Sequence, residues 1–190
     1  KMIKTTFIRH AKPLSKTFFG DMVTPYPLAK NFSSVEISTP ITAEGVADRY
    51  EQIVNNAQQG MALLKGPLTC ALNNESRAGK CDTDALTQTI VFDFDGLEVY
   101  KFASMALPYT KDNVKEIAEH LVSLLPTEFQ DTTYIAHASS SLGMSPGKIS
   151  MHLEFLLTKA IAPKALRNFL TALNFSIEDL EPSIGLSAAG

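Results

Sequence analysis

Cysteine is scarce in this chain. Its 190 residues include two, Cys70 and Cys81, and their spacing is not the C-x-x-C of a zinc site or redox pair. Free thiols in a reducing compartment are expected rather than a disulfide framework. Long apolar runs are missing as well: none reaches the roughly 18 residues of a membrane span. Bulk charge of one sign is absent. The formal net charge is −3 at pH 7, so no global basic field advertises nucleic acid, although a local basic groove fits within a mildly acidic total. No internal repeat, low-complexity tail or linker-like stretch divides the chain. Lys4, Arg9, His10 and Lys12 interrupt the first residues too early for a secretory apolar core to be read there. A cytoplasmic protein is therefore expected, without a membrane partner.

What is present is the composition of a globular protein, 45% hydrophobic and 19% charged. One domain over residues 1–190 is expected, long enough to bury a sizeable core. The Lys-Met start and the Ser-Ala-Ala-Gly end lead us to expect a piece of a longer protein. A short β-prone run predicts a strand over 5–8. Residues 11–40, rich in Pro, Ser and Phe, read as loop. Thr42 caps a predicted helix that runs to about Gln59, where Gly60 stops it. A short strand over 61–64 and a polar loop over 73–87 follow. A strong strand covers 89–94, and 99–102 is expected to continue it after a bend at Gly96. Val114, Ile117, Ala118, Leu121, Leu124 and Leu125 form one helical stripe over 113–125, ended by Pro126. Strands over 132–138 and 148–157, a Ser/Gly loop over 139–147 and a helix over 163–173 complete an α/β (α+β) pattern.

The run Val91-Phe92-Asp93-Phe94-Asp95-Gly96 sets two like charges in an otherwise apolar strand. Residues i and i+2 share a face, so Asp93 and Asp95 project together while Phe92 and Phe94 face the opposite layer. Two carboxylates that close repel when ionised, and burial raises their cost. A divalent cation removes both penalties, and Mg²⁺ takes a few carboxylates together with phosphate oxygens and water. A strand end wetted beside Gly96 is the plainer alternative. A second segment bears on the choice. In the strand over 148–157, Lys148, Ser150 and His152 share one face, and all three can donate to phosphate oxygens. Ser139, Ser140 and Ser141, with Gly143 and Gly147, precede that strand and can bring hydroxyls and backbone amides to the same anion.

An apolar Asp-x-Asp strand, a Ser/Gly loop and a strand bearing Ser-x-His, in that order, resemble the archaeo-eukaryotic primase (prim-pol) superfamily. The loop Asn73-Asn74-Glu75-Ser76-Arg77-Ala78-Gly79 is similar to phage and plasmid primase-like domains. The resemblance covers roughly residues 60–190. It implies a primase-polymerase-like fold with a central, mainly antiparallel sheet flanked by helices. It implies Mg²⁺ or Mn²⁺ on Asp93 and Asp95, and a catalytic role for Asp93, Asp95 and His152. Nucleotide contacts would come from Arg77, Ser139, Ser140, Ser141, Lys148, Ser150 and His152. The implied activity is primer synthesis or extension from nucleoside triphosphates on single-stranded DNA. The implied partners are a helicase domain or other replication proteins, and the implied setting is a bacterial or host cytoplasm. The family's third metal-binding acid has no clear match; Asp179 and Glu181 do not sit on an apolar strand, and the acid is expected beyond Gly190.

Other readings stand beside this one. Phe7-Ile8-Arg9-His10-Ala11-Lys12-Pro13 and Pro40-Ile41-Thr42-Ala43-Glu44-Gly45 resemble the opening of histidine phosphatases, which implies His10 and His137 in one pocket. That family's Ser-Pro-x-x-Arg-Ala segment is represented only by Ser76-Arg77-Ala78. The DxDG run also resembles haloacid-dehalogenase phosphatases, but Leu97 stands where those have Thr. A non-catalytic module that binds nucleotide or template is the alternative from outside the enzymes.

Overall fold

The structure, a computed structural model, describes residues 1–14, 16–19, 22–25 and 29–177. The fold is mixed α+β. Its contacts gather into two compact units, residues 1–88 with 158–163, and residues 89–157 with those from 164 onward. Among the described residues no helix is long and apolar enough to cross a membrane.

The first unit is built on β1 (Met2–Arg9), flanked in antiparallel pairing by β4 (Ser33–Pro40) and β5 (Ala62–Leu64). The register runs from Met2 opposite Pro40 to Arg9 opposite Ser33. A two-stranded ribbon, β2 (Thr17–Phe19) and β3 (Met22–Thr24), lies in the connection. Residues 11–40 were expected to be loop, and this is corrected. Ser33–Pro40 has little apolar character, but its β-branched Val35, Ile37 and Thr39 suit a strand, and pairing along all of β1 supplies what local hydrophobicity does not.

Helix α1 (Ala43–Gln58) packs against β4 and β5. It begins where the sequence places it, because the Thr42 hydroxyl accepts from the Gly45 N–H at 3.1 Å and satisfies an orphan donor of the first turn. It ends as the Gly60 N–H donates to the Ala57 carbonyl, with Gly60 at φ +74. The loop over 66–82 is tied down at two bridges, Phe32 with Glu75 and Leu68 with Cys81. Lys80 pairs with Glu75. The ammonium holds the Glu75 carboxyl below the usual carboxylate range. Cys70 and Cys81 are both free and exposed.

The second unit carries a sheet in the order β6 (Thr87–Glu98), β8 (Lys148–Ile161), β7 (Tyr134–Ala138). Helices α2 (Lys111–Leu124), α3 (Thr127–Gln130) and α4 (Pro163–Ser176) accompany it. Thr110 and Asn113 form a capping box at the start of α2. Ile117 and Leu121 of α2 and Leu173 of α4 join Ile90, Phe92 and Phe94 of β6 and Ile149, Met151, Leu153 and Phe155 of β8 in one core. Phe92, Phe129 and Phe155 meet edge to face, with ring centroids 5.0–5.7 Å apart. The expected strand over 99–102 is replaced by a 3-10 turn, Tyr100–Phe102. The Val99 N–H donates to the Gly147 carbonyl at 2.9 Å, and the Phe102 side chain drops wholly into the core. Burial of that ring outweighs continuation of the ladder.

Two glycines separate space from conformation. A Cβ on Gly45 would lie 1.8 Å from the Pro40 carbonyl oxygen, so backbone would have to move. A Cβ on Gly79 would meet nothing within 4 Å, but its φ is +71. In urea unfolding, Gly79→Ala is expected to lose about 1 kcal/mol, the cost of a left-handed L-residue. Gly45→Ala is expected to lose more, about 2–3 kcal/mol. An unchanged or raised stability in Gly45→Ala would show that the close approach of the Pro40 carbonyl does not constrain this helical position.

Candidate functional site

The site grows out of strand phase. In β6, Ile90, Phe92 and Phe94 are buried while Asp93 and Asp95 are exposed. The alternation then slips: Leu97 is buried and Glu98 exposed. Gly96 sits at the slip with φ +71, as an extra residue in a β-bulge does. The slip keeps Asp93, Asp95 and Glu98 out of the core while returning Leu97 to it.

In β8 the phase holds from Lys148 to Phe155. Ile149, Met151, Leu153 and Phe155 are fully buried on the core face. Lys148, Ser150, His152 and Glu154 therefore share the other face. The two strands are neighbours, so the polar sets meet in pairs. His152 Nε2 lies 2.9 Å from Asp93 Oδ1, close enough for a ring N–H to donate to the carboxylate. The Ser150 hydroxyl accepts from the Gly96 N–H at 3.0 Å and donates to Asp95 Oδ1 at 3.4 Å. Lys148 Nζ reaches Glu98 Oε1 at 3.5 Å, and both side chains are more than half exposed, a pairing worth at most about 1 kcal/mol. Lys148 is thus easily turned toward another anion.

Strand β7 extends the same face. His137 stands directly opposite His152 in the antiparallel register, and Ile135 opposite Glu154. His137 Nε2 and Glu154 Oε2 face one another at 3.9 Å. Glu154 is 3% exposed. The sequence reading stopped at His152 and missed Glu154 and Glu98. The period-2 alternation that picks out Lys148, Ser150 and His152 runs on to Glu154 and was the available signal.

The Ser loop joins β7 to β8 at the Lys148 end. The Ser139 N–H donates to the Ser150 carbonyl at 3.0 Å, and the Ser139 and Ser141 hydroxyls lie 3.2 Å apart. Two turns follow, closed by Leu142 N–H to the Ser139 carbonyl and Met144 N–H to the Ser141 carbonyl. Ser140 is exposed at the tip. Asp93, Asp95, Ser139, Ser140, Ser141, Lys148, Ser150 and His152 therefore belong to one unit. Arg77 lies in the first unit, in the loop before β6, with its guanidinium carbon 5.8 Å from the Phe32 ring centroid. His10 is in the first unit and His137 in the second. Asp179 and Glu181 lie outside the described residues.

Asp93 and Asp95 offer hard oxygen donors on one strand face, with the Asp93 side chain 49% exposed. That donor set fits Mg²⁺ or Mn²⁺, which commonly takes one or two carboxylates and completes its shell with phosphate oxygens and water. Among the described residues no group of three or more His, Cys, Asp or Glu side chains is spaced to hold a metal ion. No family model, curated protein or solved structure matches this chain.

Ser150 is the hinge of this arrangement. It is 4% exposed and holds the one backbone N–H at the slip. Ser150→Ala is expected to cost about 1–2 kcal/mol, because the Gly96 N–H loses its acceptor in a partly buried position. Hydrogen exchange at the Gly96 amide should quicken at the same time. An unchanged exchange rate would show that Ser150 does not hold the slip.

Proposed function

We propose that this chain is a metal-dependent nucleotidyltransferase of the primase-polymerase type, extending a primer on single-stranded DNA. The observation that carries the reading is the pairing of His152 with Asp93 and of Ser150 with Asp95 across neighbouring strands. Two motifs separated by more than fifty positions of sequence meet on one polar face. A divalent cation held by Asp93 and Asp95, when bound, would offset charge on the phosphates and lower the pKa of the attacking hydroxyl.

The chain's own side chains supply the rest. His152 and Lys148 donate to triphosphate oxygens, trading the carboxylates of Asp93 and Glu98 for phosphate. Ser150 fixes the bend at Gly96 and so sets where the Asp95 carboxylate stands. Ser139, Ser140 and Ser141 offer hydroxyls from the adjoining loop. In the reaction the primer's 3′-oxygen bonds to the α-phosphorus, the bond from that phosphorus to the β-phosphate's bridging oxygen breaks, and pyrophosphate leaves. The hydroxyl proton passes to solvent.

The test is calorimetry with dATP and Mn²⁺, followed by primer extension. Wild type should bind nucleotide only with metal. Asp93→Ala and Asp95→Ala should abolish that dependence. His152→Ala should weaken binding about tenfold or more, the size of one charge-assisted hydrogen bond. Extension should fall by more than about a hundredfold in either aspartate variant. Binding without extension in the wild type would favour a non-catalytic nucleotide-binding module. Equal nucleotide binding in wild type and the aspartate variants would sink the metal reading altogether.

A further inference from the structure

The first unit holds a second polar site that the reaction above does not use. Arg9, His10, Ala11, Asn31, Ser33 and Asn74 line an open cleft of about 350 Å³. It forms where β1 ends, where β4 begins and where the loop over 66–82 passes. The Asn74 N–H donates to the Ser33 hydroxyl at 3.1 Å, which fixes one wall to the other. Asn74 takes φ +53 there, a left-handed conformation that asparagine tolerates better than most residues.

The lining is one-sided in its chemistry. Among the described residues that line it there is no carboxylate. The Arg9 guanidinium and the side-chain amides of Asn31 and Asn74 have no hydrogen-bond or ion-pair partner among the described residues. His10 Nδ1 is occupied by the Lys12 backbone, 3.0 Å from its nitrogen and 3.3 Å from its carbonyl oxygen, which leaves Nε2 to meet a ligand and to donate whenever it carries a proton. The His10 ring rests against Phe32 at 6.1 Å between centroids, and Arg77 stands over the same Phe32.

We propose that this cleft binds a phosphate group, with Arg9 gripping two oxygens through its planar fork and His10, Asn31 and Asn74 donating to the others. The volume exceeds what a bare phosphate fills and lies within the range of small-molecule pockets, which leaves room for a sugar beside the phosphate. A nucleic-acid backbone and a free nucleotide share this chemistry. No covalent step is involved. The site is built entirely from first-unit residues, so it stands independently of the Asp93 site.

The test is an amide-resolved NMR titration of the whole chain with inorganic phosphate, deoxyadenosine monophosphate and a short oligothymidylate. Amides of Arg9, His10, Asn31, Ser33 and Asn74 should shift in wild type. Arg9→Gln should weaken the effect about tenfold or more, and Arg9→Lys should fall between, because a lysine cannot reproduce the fork. The spectrum itself reports that each variant is folded. Tighter, strongly salt-dependent binding of the oligothymidylate would identify a strand as the source; equal binding of the monophosphate would identify a free nucleotide. The shifts should persist in Asp93→Ala, whether or not that variant retains activity. Absence of shifts at these amides, an unchanged response in Arg9→Gln, or loss of the shifts in Asp93→Ala would each overturn the proposal.

Discussion

The burial of Ile149, Met151, Leu153 and Phe155 along one side of β8 is the constraint on which the second unit depends. Each such side chain gains about 1.5–3 kcal/mol on leaving water. A slip of one residue would expose all four and push Lys148, Ser150, His152 and Glu154 into the apolar layer. No alternative register competes. The polar face is thus positioned by the side of the strand that never touches it. The edge-to-face rings of Phe92, Phe129 and Phe155 extend the same grip to β6 and α3.

On that fixed frame, charge is arranged in neighbouring pairs rather than pooled. Asp93 faces His152, Glu98 faces Lys148, and Glu154 faces His137. Each of these three carboxylates has a cation or an imidazole within 4.0 Å, and Asp95 meets the Ser150 hydroxyl, which limits repulsion along a face that would otherwise concentrate negative charge. Exposure differs along the row. Asp93 and Lys148 are half open to water, whereas Glu154 is almost wholly enclosed. The open end is therefore where partners can be exchanged at little cost, and the closed end is where they cannot.

Much of this was legible in the sequence because it rests on period two. Asp93 with Asp95, and Lys148 with Ser150 and His152, fall on common faces by counting alone, and the structure brings the two sets onto neighbouring strands. The helices were legible from their caps, Thr42 for α1 and the stripe ended by Pro126 for α2. Strand β4 was not legible, since Ser33–Pro40 carries its information in the partner strand rather than in its own hydrophobicity. The 3-10 turn at Tyr100–Phe102 was hidden for a related reason: Phe102 fits a strand locally, and only the core decides that it turns inward. Ser150 was read as a ligand for phosphate, and its bond to the Gly96 N–H could not be foreseen without the slip. The first-unit cleft was out of reach because Arg9, Asn31 and Asn74 are gathered by pairing between distant segments.

The slip at Gly96 also sets which way the end of β6 faces. Its φ of +71 is one that only glycine adopts freely, and open space surrounds the position. A larger residue there would meet no obstacle, yet it would favour restoring the regular alternation. Leu97 would then swing outward and Glu98 inward. The requirement for glycine at this position therefore lies in backbone shape and not in the room for a side chain. A glycine whose missing side chain would meet nothing keeps a charged residue, Glu98, and an apolar one, Leu97, on their proper sides of the sheet, so the parity of the strand is set by one backbone angle and the bond from the Gly96 N–H to Ser150.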